Sequence, residues 1–128
     1  MKFLAMMLAV VTALLSMASA SPLAKRELGG VRLCTGPNAT GKCSYKVYEM
    51  NKCHQLRAPF YGNTSTFETD GEPFACFPRL TDCGGMCRSP TGCTFGAVDF
   101  TYEHKYNLAE IQWNTLIKSF DCMPTRRT

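Results

Sequence analysis

The sequence predicts a small, mostly β domain stapled by disulfide bonds, and three observations predict it. Eight cysteines, Cys34, Cys43, Cys53, Cys76, Cys83, Cys87, Cys93 and Cys122, fall within the last hundred-odd residues of a 128-residue chain, an even number at the density of a disulfide framework. Short stretches alternate apolar and polar residues with the period of a half-buried strand. Gly, Pro, Asn and Asp punctuate those stretches where turns are needed.

The elements follow in chain order. Val31-Arg32-Leu33-Cys34 alternates, as does Ser44 to Tyr48, with Tyr45 and Val47 on one face. Gly36-Pro37-Asn38 and Thr40-Gly41 lie between them, so the two form a strand pair. Ser65 to Glu68 and Phe74 to Phe77 flank Asp70-Gly71, a dipeptide suited to the positive φ that a tight hairpin needs at both central positions. A second hairpin is expected there, with Pro73 opening its second strand, where the missing N–H costs least. Residues 81–97 are rich in Gly, Pro, Ser and Cys without an apolar period and read as a loop ordered by bridges. Ala97 to Tyr102 reads as a strand, and Leu108 to Trp113 as a short helical turn or a last strand. Phe60 precedes Phe67 by seven residues, as Trp113 precedes Phe120, and each segment ends on a hydroxyl residue followed by Phe. That echo suggests two related β motifs sharing one core.

The amino terminus reads as a leader. Phe3 to Ala18 carries no charge and closes on Ala18-Ser19-Ala20, the small-x-small form that signal peptidase accepts, so residues 1–20 are expected to be a signal peptide cut after Ala20. A spanning helix would need roughly 20 apolar residues, and Ser21-Pro22 interrupts the run. Lys25-Arg26 then marks residues 21–26 as a propeptide, leaving 27–128 as a single mature domain. Dibasic processing of this kind resembles the maturation of secreted fungal proteins. Removing residues 1–26 takes away Lys2, Lys25 and Arg26 and no acid, which leaves eleven basic against ten acidic residues and a net charge of +1. Nucleic acid and anionic membranes are poor targets for such a chain, since both are held by clustered cations; Arg126-Arg127 is a solvated tail.

On the secretory route all eight cysteines are expected to pair, each bridge stabilising by about 2–4 kcal/mol through the unfolded chain. The pairing is open, because eight cysteines allow about 105 connectivities. A zinc site at Cys83, Cys87 and Cys93 is the weaker reading, since oxidation consumes the thiols. The histidines His54 and His104 stand in no local nucleophile motif. The carboxylates Glu68, Asp70 and Glu72 gather at the expected hairpin tip, where solvated charge is ordinary and no cleft is implied; Glu49, Asp82, Asp99 and Glu103 are scattered. No catalytic residue, metal or cofactor is assigned. Sequons at Asn38-Ala39-Thr40 and Asn63-Thr64-Ser65 are expected to carry glycans, with Asn63 the weaker because it can order its own loop. Phe60-Tyr61, after Pro59 in a loop, is the expected exposed aromatic pair and binding surface.

These features resemble the βγ-crystallin-like double Greek key of small secreted cysteine-rich fungal proteins. Cys34 to Gly41, the strand from Ser44 to Tyr48, and Asn63-Thr64-Ser65-Thr66-Phe67 are similar to its first motif, and Cys76 to Gly84 resembles the opening of the second. The secreted fungal group is suggested by Gly30 to Cys34, Cys53 to Leu56 and the dibasic site. Cys34 and Cys76 stand where the family has an aromatic, and Tyr61-Gly62 stands where its calcium-binding members have acidic or amide residues, so a calcium site is not expected. The resemblance implies an effector-type protein, monomeric and non-catalytic, that acts on a host by protein binding. Alternatives are an antimicrobial or killer-toxin-like protein, or an inhibitor of extracellular hydrolases; later entry into host cells is compatible with all three. Intact-mass measurement of the secreted protein, after deglycosylation, is expected to place its amino terminus at Glu27; a chain starting at Ser21 would refute the second cut.

Overall fold

A computed structural model describes residues 28–125 apart from residue 72. The expected leader and propeptide, with Ala20, Lys25 and Arg26, lie outside the described residues, as do Glu72 and Arg126-Arg127. Six strands are present: β1 (Gly30–Cys34), β2 (Cys43–Val47), β3 (Cys53–Gln55), β4 (Thr66–Thr69), β5 (Phe74–Arg79) and β6 (Ser119–Pro124), with one 3₁₀ turn at Leu108–Ile111. They form two three-stranded antiparallel sheets, in the orders β2-β1-β4 and β3-β6-β5. The third strand thus leaves the sheet of its neighbours and joins the other. Among the described residues there is no α-helix, and no helix is long and apolar enough to cross a membrane.

Alternation decides which face of each strand is buried. In β1, Val31 and Leu33 are fully buried while Arg32 is exposed. In β4, Phe67 and Thr69 point inward with them. The second sheet answers with Phe74, Cys76, Phe120 and Cys122, all fully buried. Leu56, Val98, Leu108 and Ile117 close the core from loops. Phe67 and Phe120 meet edge to face across the layers, with ring centroids 5.2 Å apart, the geometry that aromatic quadrupoles favour.

The four bridges are Cys34–Cys43, Cys53–Cys83, Cys76–Cys122 and Cys87–Cys93. Two of them join directly opposed residues of antiparallel neighbours, β1 to β2 and β5 to β6, with Cα atoms 4.1 and 3.9 Å apart. Such close approach belongs to pairs that share no backbone hydrogen bond. Cys53–Cys83 ties β3 to the loop after β5, and Cys87–Cys93 closes that loop on itself. The oxidising chemistry that four bridges require fits an extracellular or secreted protein.

Several expected elements are where the sequence places them, and two are not. The β1–β2 pair forms, and Leu108 opens a 3₁₀ turn capped by the Asn107 side chain. The Asp70-Gly71 hairpin does not form. The flanking strands exist, yet β4 pairs with β1 and β5 pairs with β6, and neither Asp70 nor Gly71 takes a positive φ. The physical reason is that Phe67 and Phe74 are both fully buried and are satisfied only by facing each other's layers, so the dipeptide becomes a crossover between sheets. Asp70 instead extends the β4 ladder by donating its N–H to Gly30 O. The Ala97–Tyr102 strand is likewise absent. Val98 makes a single bridge to Cys76, after which the Asp99 carboxylate accepts from the Thr101 N–H and hydroxyl at 2.8 and 2.6 Å and bends the chain into a turn.

The two echoed segments pack side by side. Gly62 N–H donates to Ile117 O at 2.8 Å and Thr64 N–H to Asn114 O at 3.0 Å. Ser65 N–H donates to Cys34 O at the end of β1, and Lys118 N–H to Arg79 O at the end of β5. Phe120→Ala is expected to cost about 3–5 kcal/mol in denaturant unfolding, against within roughly 0.5 kcal/mol for Phe100→Ala on the surface; equal effects would refute the core described here.

Candidate functional site

β2 and β3 are each the outer strand of a sheet, and they line opposite walls of one groove of about 590 Å³. The groove exists because the chain crosses from one sheet to the other between residues 47 and 53. Past Tyr48 it continues into a second hollow of about 560 Å³ bounded by Leu28 and Met50. Lys46 and Tyr48 come from the first wall, His54 and Gln55 from the second, and Arg57 and Phe60 from the loop that follows.

A cluster of tilted and edge-to-face rings forms the floor. The Tyr48 ring lies 4.8 Å from the His54 ring and 4.9 Å from Phe120, so the groove rests directly on the core. Burial pushes the Tyr48 hydroxyl above its ordinary range, because the phenolate is poorly solvated there. Lys46 Nζ sits 5.4 Å from the Tyr48 ring centroid, within cation–π range. His54 Nε2 is 2.8 Å from Glu49 O, which fixes the imidazole as a wall. Glu49 pairs with Lys52 at 3.6 Å, so Lys46 and Arg57 leave the groove with a cationic balance.

One end of the groove is locked by Gln55. Its Oε1 accepts from Cys83 N–H at 2.9 Å, and its Nε2 donates to Asp82 Oδ1 and to Lys118 O, both at 3.0 Å. The Tyr61 hydroxyl also donates to Asp82 Oδ1, at 2.8 Å. Hydrogen bonds from Tyr61 and then Gln55 hold the Asp82 carboxyl below the usual carboxylate range, and the same contact raises the Tyr61 hydroxyl.

Phe60 and Tyr61 therefore do not form one exposed surface. Phe60 is half-buried, packs against the core and lines the groove, whereas Tyr61 is 42% exposed and turned to Asp82. His104 lies between carboxylates, with Nδ1 2.9 Å from Glu110 and Nε2 3.1 Å from Glu103. Cys83, Cys87 and Cys93 are committed to disulfides, which removes the thiolates a zinc site would need. Thr66 is fully buried and donates to Gly36 O at 2.7 Å. Among the described residues no group of three or more His, Cys, Asp or Glu side chains is arranged to hold a metal ion. Asn38 is exposed, and Asn63 is exposed with Nδ2 donating to Pro59 O at 3.2 Å.

The groove itself was not read from the sequence. Its walls are formed by β3, only three residues long, and by the inward side of β2, and neither reveals in isolation that the other lies opposite. The available signal was Tyr48 and His54, two amphipathic rings close in sequence around a Glu-Met-Asn-Lys turn.

A carboxyl lowered on folding contributes stability above its ordinary pKa and loses it as pH falls through the lowered value. Tyr61→Phe is expected to raise the titration midpoint of Asp82 toward that of a free carboxylate, read by carbon-detected NMR; an unchanged midpoint would refute the Tyr61 contact as the main cause. No protein-family model, no curated protein and no solved structure matches this chain.

Proposed function

We propose that this chain is a secreted, non-catalytic effector-type protein of fungal kind that acts on a host by binding one of its proteins through the groove between β2 and β3. The observation that carries this reading is the groove itself: two outer strands face each other across an aromatic floor, with Lys46 and Arg57 at its walls. An extended segment bearing acidic residues suits that shape and charge, since strand edges offer backbone hydrogen bonds and alternate side chains read the partner. Cys34–Cys43 ties β2 to β1 and Cys53–Cys83 ties β3 to the loop after β5, so each wall is held by a bridge, which reduces the entropy cost of binding.

A βγ-crystallin-like double Greek key is the finer fold reading. Its support is the migration of β3 into the opposite sheet and the paired relation of residues 60–67 to 113–120. In this reading residues 81–97 and the turns that follow replace the regular hairpin of the second motif. The leader of residues 1–20, the propeptide of 21–26 and the mature domain of 27–128 complete the proposal.

One observation favours a second reading, inhibition of an extracellular hydrolase. The loop closed by Cys87–Cys93 is largely exposed, Met86 just before it is 73% exposed, and the loop offers a preorganised backbone to a cleft. Affinity capture with the mature protein from host extracellular fluid is expected to recover a partner that Arg57→Glu releases and Met86→Ala retains. Retention by Arg57→Glu would refute the groove reading, and inhibition of a captured hydrolase relieved by Met86→Ala would favour the loop.

A further inference from the structure

The loop after β5 is fastened at both legs and braced within. Its near leg is tied by Cys53–Cys83 and by Gly85 N–H donating to Asp82 O at 2.9 Å. Its far leg is tied by Leu80 N–H donating to Cys93 O at 2.9 Å and by a β-bridge between Arg79 and Thr94. Gly84 and Gly92, at φ +84° and +102°, turn the chain at the two ends. Between them no turn or bend interrupts residues 85–89, and Pro90 confines Ser89 to an extended conformation. Past the proline, Gly92 N–H donates to Ser89 O at 3.2 Å and Thr91 N–H to Ser89 Oγ at 3.3 Å.

The extended stretch is held open with its backbone unsatisfied. Among the described residues no hydrogen bond engages the main chain of Met86, Cys87 or Arg88, and all three are exposed. Successive side chains of an extended segment alternate in direction. Cys87 turns back to Cys93, which is only 8% exposed, so Met86 and Arg88 project together away from the domain. Among the described residues the Arg88 guanidinium has no ion pair, whereas Arg32 and Arg79 pair with Glu68 and Asp121. A free cation therefore stands two residues past an apolar side chain, on a backbone whose N–H and C=O groups are open to a partner.

We propose that this loop, in the hydrolase-inhibitor reading on which the inference rests, enters and blocks a serine protease whose specificity pocket is floored by a carboxylate. The Arg88 side chain matches such a pocket in length and charge, and the backbone from Met86 to Arg88 adds a short strand to the protease. In the acylation step the protease serine forms an ester with the Arg88 carbonyl carbon, the Arg88–Ser89 amide bond breaks, and Ser89 leaves as an amine carrying the serine proton. Cys87–Cys93 spans that bond, and the turn from Ser89 to Gly92 holds the amine against the ester. The tethered amine attacks the ester ahead of water, re-forms the amide and returns the proton to the serine. Pro90 brings no N–H to the enzyme, so recognition falls on the Met86-to-Arg88 side of the bond.

The test is inhibition of trypsin by the secreted full-length product, followed with a chromogenic arginine substrate and by mass spectrometry of the loop. Competitive inhibition is expected with an inhibition constant on the order of 1 μM, and Arg88→Glu is expected to weaken it about a hundredfold. Arg88→Leu is expected to move the inhibition to chymotrypsin, whose pocket is apolar. Arg88 is exposed, so these variants keep the fold, and Arg57→Glu in the groove is expected to leave inhibition unchanged. The double variant Cys87→Ser, Cys93→Ser keeps the other bridges and is expected to become a substrate cut at Arg88–Ser89. No inhibition of trypsin at about 100 μM, rapid cleavage of the bridged loop without inhibition, or full inhibition by Arg88→Glu would each overturn the proposal. Inhibition of papain or pepsin relieved by Met86→Ala, with trypsin untouched, would overturn it while leaving the broader loop reading standing.

Discussion

The contact of Phe67 with Phe120 is the constraint around which the rest of the fold is arranged. Each ring is fully buried, each comes from a different sheet, and together they bring the two layers into register. Tyr48 and His54 pack on the outer side of Phe120, so the floor of the groove is the back of the same core contact. Fold and candidate site therefore share their central atoms. Small domains bury too little surface to be stable on apolar contact alone, and here Cys76–Cys122 lies within the core while two other bridges sit where the core is thinnest. Cys53–Cys83 and Cys87–Cys93 secure a loop whose residues 84–88 are all exposed.

Much of the first sheet was legible because its sequence alternates, Val31 and Leu33 flanking Arg32 in β1 and Phe67 standing between Thr66 and Glu68 in β4, and alternation is the signal that marks a strand. The second sheet was harder. β5 is buried on every residue from Phe74 to Cys76, which erases alternation, and β6 hides its two inward residues, Phe120 and Cys122, between Ser, Asp and Met. The hairpin expected at Asp70-Gly71 shows where local reading stops. The dipeptide favours a tight turn, but turn preference is worth little against the separate burial of two phenylalanines on either side of it. The echo between residues 60–67 and 113–120 carried more information than any single strand, since it marked the two segments that lie together in the core.

The candidate site was less legible still, for a geometric reason. A groove between two sheets belongs to neither, and the residues that line it are chosen by strand order, which a linear sequence does not display. Phe60 and Tyr61 illustrate this: adjacent and both aromatic, they diverge because Phe60 is drawn into the core contact while the Tyr61 hydroxyl is taken by Asp82. The cysteines announced that bridges form, but strand register selects which ones. Cys34 with Cys43 and Cys76 with Cys122 are opposed pairs of neighbouring strands, and that proximity arises only once the sheets have formed.

The Cys34–Cys43 bridge has an evolutionary consequence through its position on β2. A strand that slips by one residue exchanges its two faces completely, which here would swap Lys46 with Tyr45 and destroy both the groove wall and the opposite face at once. By welding β2 to β1 at the mouth of the turn, the bridge fixes the parity of every residue after Cys43. Insertions in the short turn it encloses are absorbed outside the ladder. The even and odd positions of β2 are then free to diversify independently, so one five-residue strand can present two surfaces that change without regard to each other.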